Sequence, residues 1–196
     1  MESPRVQSIE ALTACVVSQI EHFGVKVALS QEASTNDDLG SIQGNALRVL
    51  NDKAQPEITA FTLCHLFGHI IQLADRARYR HLIDPVTATR PPVILPDSFW
   101  LEFYDYEREA FSYGATLLNN CLNDSTEIME NYSKFMDVDF QHFRKYISTG
   151  IRSGRDTYRL LAKTALATGS NVKVLVPKAI PQVNWNTLPT EHIAIV

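Results

Sequence analysis

The chain has 196 residues, of which 45% are apolar and 20% are charged, and its formal net charge is -4. This composition excludes a disordered or collagen-like chain and allows one sizeable hydrophobic core. The weak negative charge argues against nucleic acid as the partner of the whole protein. No apolar stretch approaches the roughly 20 residues that span a bilayer, and the chain does not open on a signal-peptide pattern, so we expect a cytoplasmic protein without a membrane partner.

Three cysteines, Cys15, Cys64 and Cys121, are present, and no pair has the C-x-x-C spacing. An odd number without that spacing indicates neither a disulfide framework nor a zinc site made only of thiolates. Free cysteines pack as small hydrophobic side chains. We therefore expect reduced and mostly buried thiols.

The first quarter of the chain is predicted to hold one helix and two strands. Apolar residues recur at helical spacing over residues 9–23, and Gly24 follows where a helix often ends. Residues 25–29 and 46–50 alternate, while residues 30–45 between them are rich in Ser, Asn, Asp and Gly. The pattern predicts two strands joined by a loop and paired antiparallel.

The second half of the chain is predicted to be mostly helical. Four prolines punctuate the connection over residues 81–96, after which Asp97 or Ser98 can cap a helix that continues to about Cys121. Further helices are expected at residues 126–135, 140–148 and 156–167, and strands at residues 172–176 and 192–196.

Two histidines lie one turn apart in a helix predicted for residues 56–76. The spacing His65-x-x-x-His69 places both imidazoles on one face, where both can reach one ion. On a helical wheel they share a narrow polar stripe with Thr62 and Gln72, and the rest of the helix is apolar. Buried histidines need partners, because an unpaired buried polar group costs about 1–3 kcal/mol. Both a metal site and a pair of hydrogen-bonded core histidines fit this pattern.

A carboxylate, Glu107, lies within the apolar face of the next predicted helix. Burying an ionised carboxylate is costly unless it is paired or binds a metal. Ala110 and Gly114 on the same face are small enough to let another helix approach closely. Glu107 and the two histidines then form a three-ligand zinc set with an open fourth position. The alternative is a salt bridge from Glu107 to an arginine such as Arg76.

The sequence resembles the ImmA/IrrE family of zinc metallopeptidases from about residue 10 to residue 148. The resemblance rests on ALRVLN at residues 46–51, on FTLCHLFGH at residues 61–69, and on residues 107–118, which are similar to the family's E-x-E-A-x-x-F-A-x-x-L-L helix.

The resemblance implies an α+β protein with a gluzincin-like core that holds zinc through His65, His69 and Glu107. Characterised members are intracellular regulatory proteases, and some of them cut helix-turn-helix repressors. The expected partner is therefore a protein or peptide, with such a repressor as one candidate. The expected organisation is a zincin-like metallopeptidase core with a small antiparallel sheet packed on helices over residues 1–122, a helical subdomain over residues 123–168, and a β-rich tail over residues 169–196.

Position 66 departs from the family's H-E-x-x-H motif, in which the glutamate after the first histidine transfers protons. Leu66 cannot accept a proton, and general acid–base catalysis is worth about 10² to 10⁴-fold. Glu109 faces away from Glu107 on the helical wheel and is a poor substitute base. The sequence therefore predicts a catalytically impaired relative that keeps its metal and acts through partner binding. An active peptidase with a relocated base and a metal-free interaction module are the alternatives.

Two basic clusters and the C-terminal tail each have more than one possible role. Residues 76–81 contain three arginines and a histidine, and residues 144–163 contain six basic residues against one acidic residue. For residues 76–81 we expect a solvated helix end, with an anion-binding role as the alternative. No nucleic-acid recognition signature accompanies residues 144–163, so we expect solvated surface there, with an acidic partner or nucleic acid as the alternative. The tail could extend the sheet, cover the cleft or pair with another subunit, and the oligomeric state is left open.

Overall fold

The computed structural model describes residues 9–31, 39–53, 55–88, 90–122, 126–168, 172–188 and 192–195. These residues form an α+β structure with six α-helices and one small mixed sheet. None of the helices among them has the length and apolar character that a membrane span requires. The helices are α1 (Ile9–His22), α2 (Pro56–Ala74), α3 (Arg76–Thr87), α4 (Asp97–Cys121), α5 (Thr126–Thr149) and α6 (Arg155–Ala167), and the strands are β1 (Lys26–Ser30), β2 (Gly40–Gln43), β3 (Ala46–Leu50) and β4 (His192–Ile195).

The sheet has the strand order β1-β3-β2-β4. β1 pairs parallel with β3, whereas β2 is antiparallel to both β3 and β4. The predicted antiparallel pairing of the first two strands is therefore wrong. The reason is β2, which lies in the segment predicted as a loop and reverses the chain direction before β3 begins. The tight turn from β2 to β3 passes through Gly44 at φ 54°, a backbone conformation that glycine adopts at little cost.

Helix α2 lies at the centre of the fold and is buried from Ile58 to Leu73. It packs against α1, α4 and strands β2 and β3. This confirms the prediction of a mostly buried helix. Helix α3 begins at Arg76 and occupies part of the connection that the prolines had marked as irregular. Pro85 lies in the last turn of α3, where proline removes a single intrahelical hydrogen bond.

Helices α2 and α4 cross in close contact at two glycines. A Cβ atom at Gly68 would lie 2.0 Å from the carbonyl oxygen of Ala110. A Cβ atom at Gly114 would lie 2.6 Å from the carbonyl oxygen of Cys64 and 2.2 Å from the hydroxyl of Tyr132. The predicted close approach of another helix to Ala110 and Gly114 is confirmed.

Two predicted helix boundaries need correction. Helix α4 spans the predicted range, but Pro96 precedes its first turn and neither Asp97 nor Ser98 caps it. Helix α5 is continuous over Thr126–Thr149, where two separate helices were predicted. No helix-breaking residue interrupts it, and its buried face runs on through Met136 and Phe140.

The cysteines form one disulfide, between Cys15 on α1 and Cys121 at the end of α4. The expectation of reduced thiols is therefore wrong for these two residues. Their Cα atoms are 5.9 Å apart although 106 residues separate them in sequence, which spacing alone cannot reveal. Cys64 is free and buried, as expected.

The tail is less strand-like than predicted. Residues 172–176 form no strand, because the N–H of Leu175 donates to Oγ of Ser133 on α5 and so pairs with a helix. The N–H of Lys178 likewise donates to the carbonyl of Ser112 on α4. The later strand is confirmed as β4, and it extends the sheet beside β2.

Candidate metal centre

The structure brings together the three residues predicted to bind metal. His65 and His69 lie on α2 and Glu107 lies on α4, and all three are buried. One ligand atom from each lies within 4.8 Å of the other two. Oε2 of Glu107 is 3.0 Å from Nε2 of His65 and 3.2 Å from Nε2 of His69. The close crossing of α2 and α4 places these atoms together.

The arrangement is compatible with a bound metal ion such as zinc. Tetrahedral zinc binds nitrogen and oxygen at about 2.0–2.2 Å, which sets neighbouring ligand atoms about 3.3 Å apart. The two distances from Glu107 to the imidazole nitrogens are close to that value. Two imidazoles and one carboxylate also form a set that leaves a fourth position open.

Gln72 fixes the orientation of the His69 ring. Its side-chain N–H donates to the carbonyl of Tyr106 at 2.8 Å, so its Oε1 must be the atom that lies 3.0 Å from Nδ1 of His69. Nδ1 of His69 is therefore the donor in that contact. Nε2 then faces the Glu107 carboxylate, and a cation, either a proton or a metal ion, is needed between the two atoms.

Asp139 on α5 is the corresponding partner of His65. Its Oδ2 lies 3.4 Å from Nδ1 of His65, and its Oδ1 accepts a hydrogen bond of 2.6 Å from the hydroxyl of Tyr158 on α6. A carboxylate behind a ligating histidine is a common way of orienting a metal ligand. Asp139 is not among the residues predicted from the sequence, because the predicted break between residues 135 and 140 left it outside a helix. As one acidic residue within the buried face of α5, it could have been found by the reasoning applied to Glu107.

Burial and mutual contacts shift the ionisation of the four groups. Burial, followed by the charge of His69, lowers the pKa of His65 to about 4. Burial also opposes the charged form of His69, but the Glu107 carboxylate and the hydrogen bonds that His69 donates to Glu107 and Gln72 outweigh it and raise the pKa of His69. Of the two imidazoles, His69 is therefore the one that takes up a proton more readily.

The two carboxylates shift in opposite directions. Burial opposes ionisation of Glu107, but the charge of His69 and the hydrogen bonds that the carboxylate accepts from both histidines hold its pKa at about 2. Burial raises the pKa of Asp139 to about 7 despite the hydrogen bond from Tyr158. The cluster is thus arranged around an ionised Glu107 and one positive charge beside it.

Two aromatic rings pack against the histidines of the cluster, and Leu66, the residue after His65, packs against β2. The ring of Phe111 stacks on His65 with centroids 4.0 Å apart, and Tyr106 flanks His69 at 5.3 Å. Leu66 is 1% exposed and lies against β2, where a Cβ atom at Gly40 would come within 2.5 Å of its Cδ1. Position 66 therefore offers apolar packing and no proton acceptor.

Glu109 reaches the site indirectly. Its Oε2 lies 3.4 Å from Nε2 of Gln72 and accepts a short hydrogen bond from Tyr79, while its Oε1 pairs with Arg78 at 3.5 Å and with Lys178. The helical wheel placed Glu109 away from Glu107, and the two carboxylates do contact different residues. The wheel could not show that Gln72 connects Glu109 to His69.

Arginines predicted as alternatives have other partners. Arg76 lies 3.8 Å from Asp84, so the alternative of a salt bridge from Arg76 to Glu107 is wrong. In the second basic cluster, Arg144 pairs with Asp97 at 3.0 Å and Arg159 pairs with Asp52. These pairs hold parts of the fold together and reduce the free positive charge of the cluster.

No match is found when the chain is compared with models of protein families, with curated proteins or with solved structures. The ImmA/IrrE resemblance therefore stays an expectation from the sequence motifs.

Proposed function

We propose that this protein binds zinc through His65, His69 and Glu107 and acts in regulation by binding a protein or peptide partner. In this proposal it is a catalytically impaired relative of the ImmA/IrrE metallopeptidases with a zincin-like core. The observation that supports the metal site best is the orientation of His69. Nδ1 of His69 donates to Oε1 of Gln72, which leaves Nε2 of His69 facing the ionised carboxylate of Glu107.

Zinc in such a site would polarise a ligand carbonyl and lower the pKa of bound water. The residues of the chain hold the imidazoles in place, through Gln72 behind His69 and Asp139 behind His65. Phe111 and Tyr106 exclude water from the rings. Since Leu66 replaces the residue that would move protons, the site favours binding a carbonyl-containing partner over cutting it.

A metal-free interaction module is the second candidate. It is favoured by the contact between His69 and Glu107, because a proton on His69 satisfies both residues without an ion. In that case the cluster would be a buried ion pair that holds α2 against α4.

Zinc content distinguishes the two candidates. The protein is purified without chelators, supplied with zinc, desalted and measured by elemental analysis beside His69→Ala. A matched control is His81→Ala, which removes an exposed histidine that pairs with Glu102. We expect about one zinc per chain in the wild type and the control, and none in His69→Ala. No zinc in the wild type would refute the metal site and leave the metal-free module.

The loss of activity is tested separately, by co-expression with a helix-turn-helix repressor. We expect no cleavage. Cleavage that a chelator abolishes would contradict the impaired enzyme and support an active peptidase with a relocated base.

A further inference from the structure

The tail crosses the outside of α4 and α5 as an extended segment, residues 172–184, which we call the strap. Leu175 is buried and its N–H donates to Oγ of Ser133 at 2.9 Å. The N–H of Lys178 donates to the carbonyl of Ser112 at 3.0 Å, and the hydroxyl of Thr116 donates to the carbonyl of Lys178 at 2.7 Å. Lys178 is thus fixed to α4 by both of its backbone polar groups.

The side chain of Lys178 extends from the strap to Glu109 on α4. Its ammonium pairs with Oε1 of Glu109 and lies 5.0 Å from the centre of the Tyr113 ring. Glu109 is two residues beyond Glu107 on α4 and has only 13% of its side chain exposed. Lys178 therefore helps Tyr79 and Arg78 to hold a mostly buried carboxylate in one orientation.

From Glu109 the contacts continue to a proposed metal ligand. The other oxygen of Glu109 lies 3.4 Å from Nε2 of Gln72, and Oε1 of Gln72 lies 3.0 Å from Nδ1 of His69. Every step from Lys178 to His69 is an ion pair or a hydrogen bond. Removing a residue that hydrogen-bonds to a metal ligand typically lowers the affinity of the site for the metal by about 10 to 100-fold.

We propose that docking of the strap and binding of metal are coupled through Lys178, Glu109 and Gln72. Lys178 is a positioning residue: it holds Glu109, which helps to hold Gln72 and so keeps His69 oriented for the metal. Coupling between two binding events is reciprocal, so metal binding also stabilises the docked strap. A partner that displaces the strap therefore weakens zinc binding at the site. This inference rests on the proposed zinc function.

The first test measures zinc affinity of the full chain by competition with a chromogenic chelator. We expect Lys178→Met to weaken zinc binding about tenfold. This is the low end of the range for residues that support a metal ligand, because Lys178 acts on His69 through Glu109 and Gln72. Lys178→Arg keeps the positive charge and should restore affinity to near the wild-type value. Lys173→Met is the matched control, since Lys173 is exposed on the same strap and the described part of the chain shows no ion pair for it.

The second test measures the reciprocal effect by hydrogen exchange of the Lys178 amide, which donates to Ser112. Saturating zinc should slow this exchange about tenfold in the wild type, matching the factor by which Lys178→Met weakens zinc binding. In Gln72→Leu, also saturated with zinc, the connection is broken and the exchange rate should not respond.

The outcomes separate the two proposals. If the wild type binds zinc but Lys178→Met binds it as tightly, or Lys173→Met loses as much affinity, the coupling is refuted and the metal site stands. Failure of Lys178→Arg to restore affinity, or a zinc response that survives in Gln72→Leu, also refutes it. If the wild type binds no zinc, the proposed function fails and the coupling fails with it.

Discussion

Oδ2 of Asp139 on α5 lies 3.4 Å from Nδ1 of His65 on α2. Asp139 belongs to the helical subdomain predicted for residues 123–168, yet it contacts a residue at the centre of the predicted core. Tyr158 on α6 binds the same carboxylate from the other side. The helices that follow α4 therefore take part in building the candidate metal centre.

This contact predicts that Asp139→Asn weakens zinc binding. Asparagine keeps the shape of the side chain but removes the charge that supports His65, and changes of this kind cost about 10 to 100-fold in metal affinity. Competition with a chelator measures the effect. The matched control is Asp137→Asn on the same helix, where the carboxylate accepts a hydrogen bond from Tyr104 and not from the site. Equal affinities for wild type and Asp139→Asn would show that Asp139 does not support the metal.

The contrast between Glu107 and Asp139 shows how far the sequence could predict the site. His65, His69 and Glu107 could be found because each lies on a helix whose periodicity is visible locally. Asp139 obeys the same rule, but its helix was predicted as two pieces. The strand pairing, the Cys15–Cys121 disulfide and the path of the strap depend on contacts between distant segments, which a periodic pattern does not encode. The role of Glu109 likewise depends on Gln72 and Lys178, which lie on two other segments.

We predict that reducing the Cys15–Cys121 disulfide lowers the free energy of unfolding. Cys15 and Cys121 close a long loop between α1 and α4, and removing such a link costs about 2–5 kcal/mol. We expect dithiothreitol to lower the free energy of unfolding in urea by about that amount. Cys15→Ser should have the lower stability from the start and should not respond to reductant. A wild type that is equally stable with and without reductant would show that the link contributes nothing.

We predict that the burial of His142 lowers the free energy of unfolding as the pH falls. Burial, followed by the positive charges of Arg152 and Lys145, lowers the pKa of His142 below its usual 6.5, and the ring of Tyr158 also packs against it. As the pH falls through this range, the unfolded chain takes up a proton that the folded chain resists, so folding becomes less favourable. The stability of His142→Gln should therefore fall less than that of the wild type between about pH 7.5 and about pH 5.5.

The measurement is urea unfolding at each pH with a chelator present, so that zinc does not contribute to the difference. His65 titrates in both proteins and cancels in the comparison. Parallel pH profiles for wild type and His142→Gln would contradict the assignment.

Leu66 provides the most direct test of why the site should be inactive. Its side chain is buried between α2 and β2 against Gly40, so a glutamate there places a carboxylate in apolar surroundings. Leaving a buried charge without a partner costs about 3–5 kcal/mol, and we expect Leu66→Glu to lose stability of that order. Leu66→Met keeps the volume and apolar character and should cost less than about 1.5 kcal/mol.

The same variant tests catalysis. A carboxylate next to His65 restores a proton acceptor at the position where the H-E-x-x-H motif has one, and general acid–base catalysis contributes about 10² to 10⁴-fold. We expect zinc-loaded Leu66→Glu to show chelator-sensitive hydrolysis of a peptide mixture that is absent from the wild type. Leu66→Gln is equally polar but is not a base, and should remain inactive. If Leu66→Glu stays inactive and also loses its zinc, the leucine is there to hold α2 against β2, and its role is packing rather than the silencing of a peptidase.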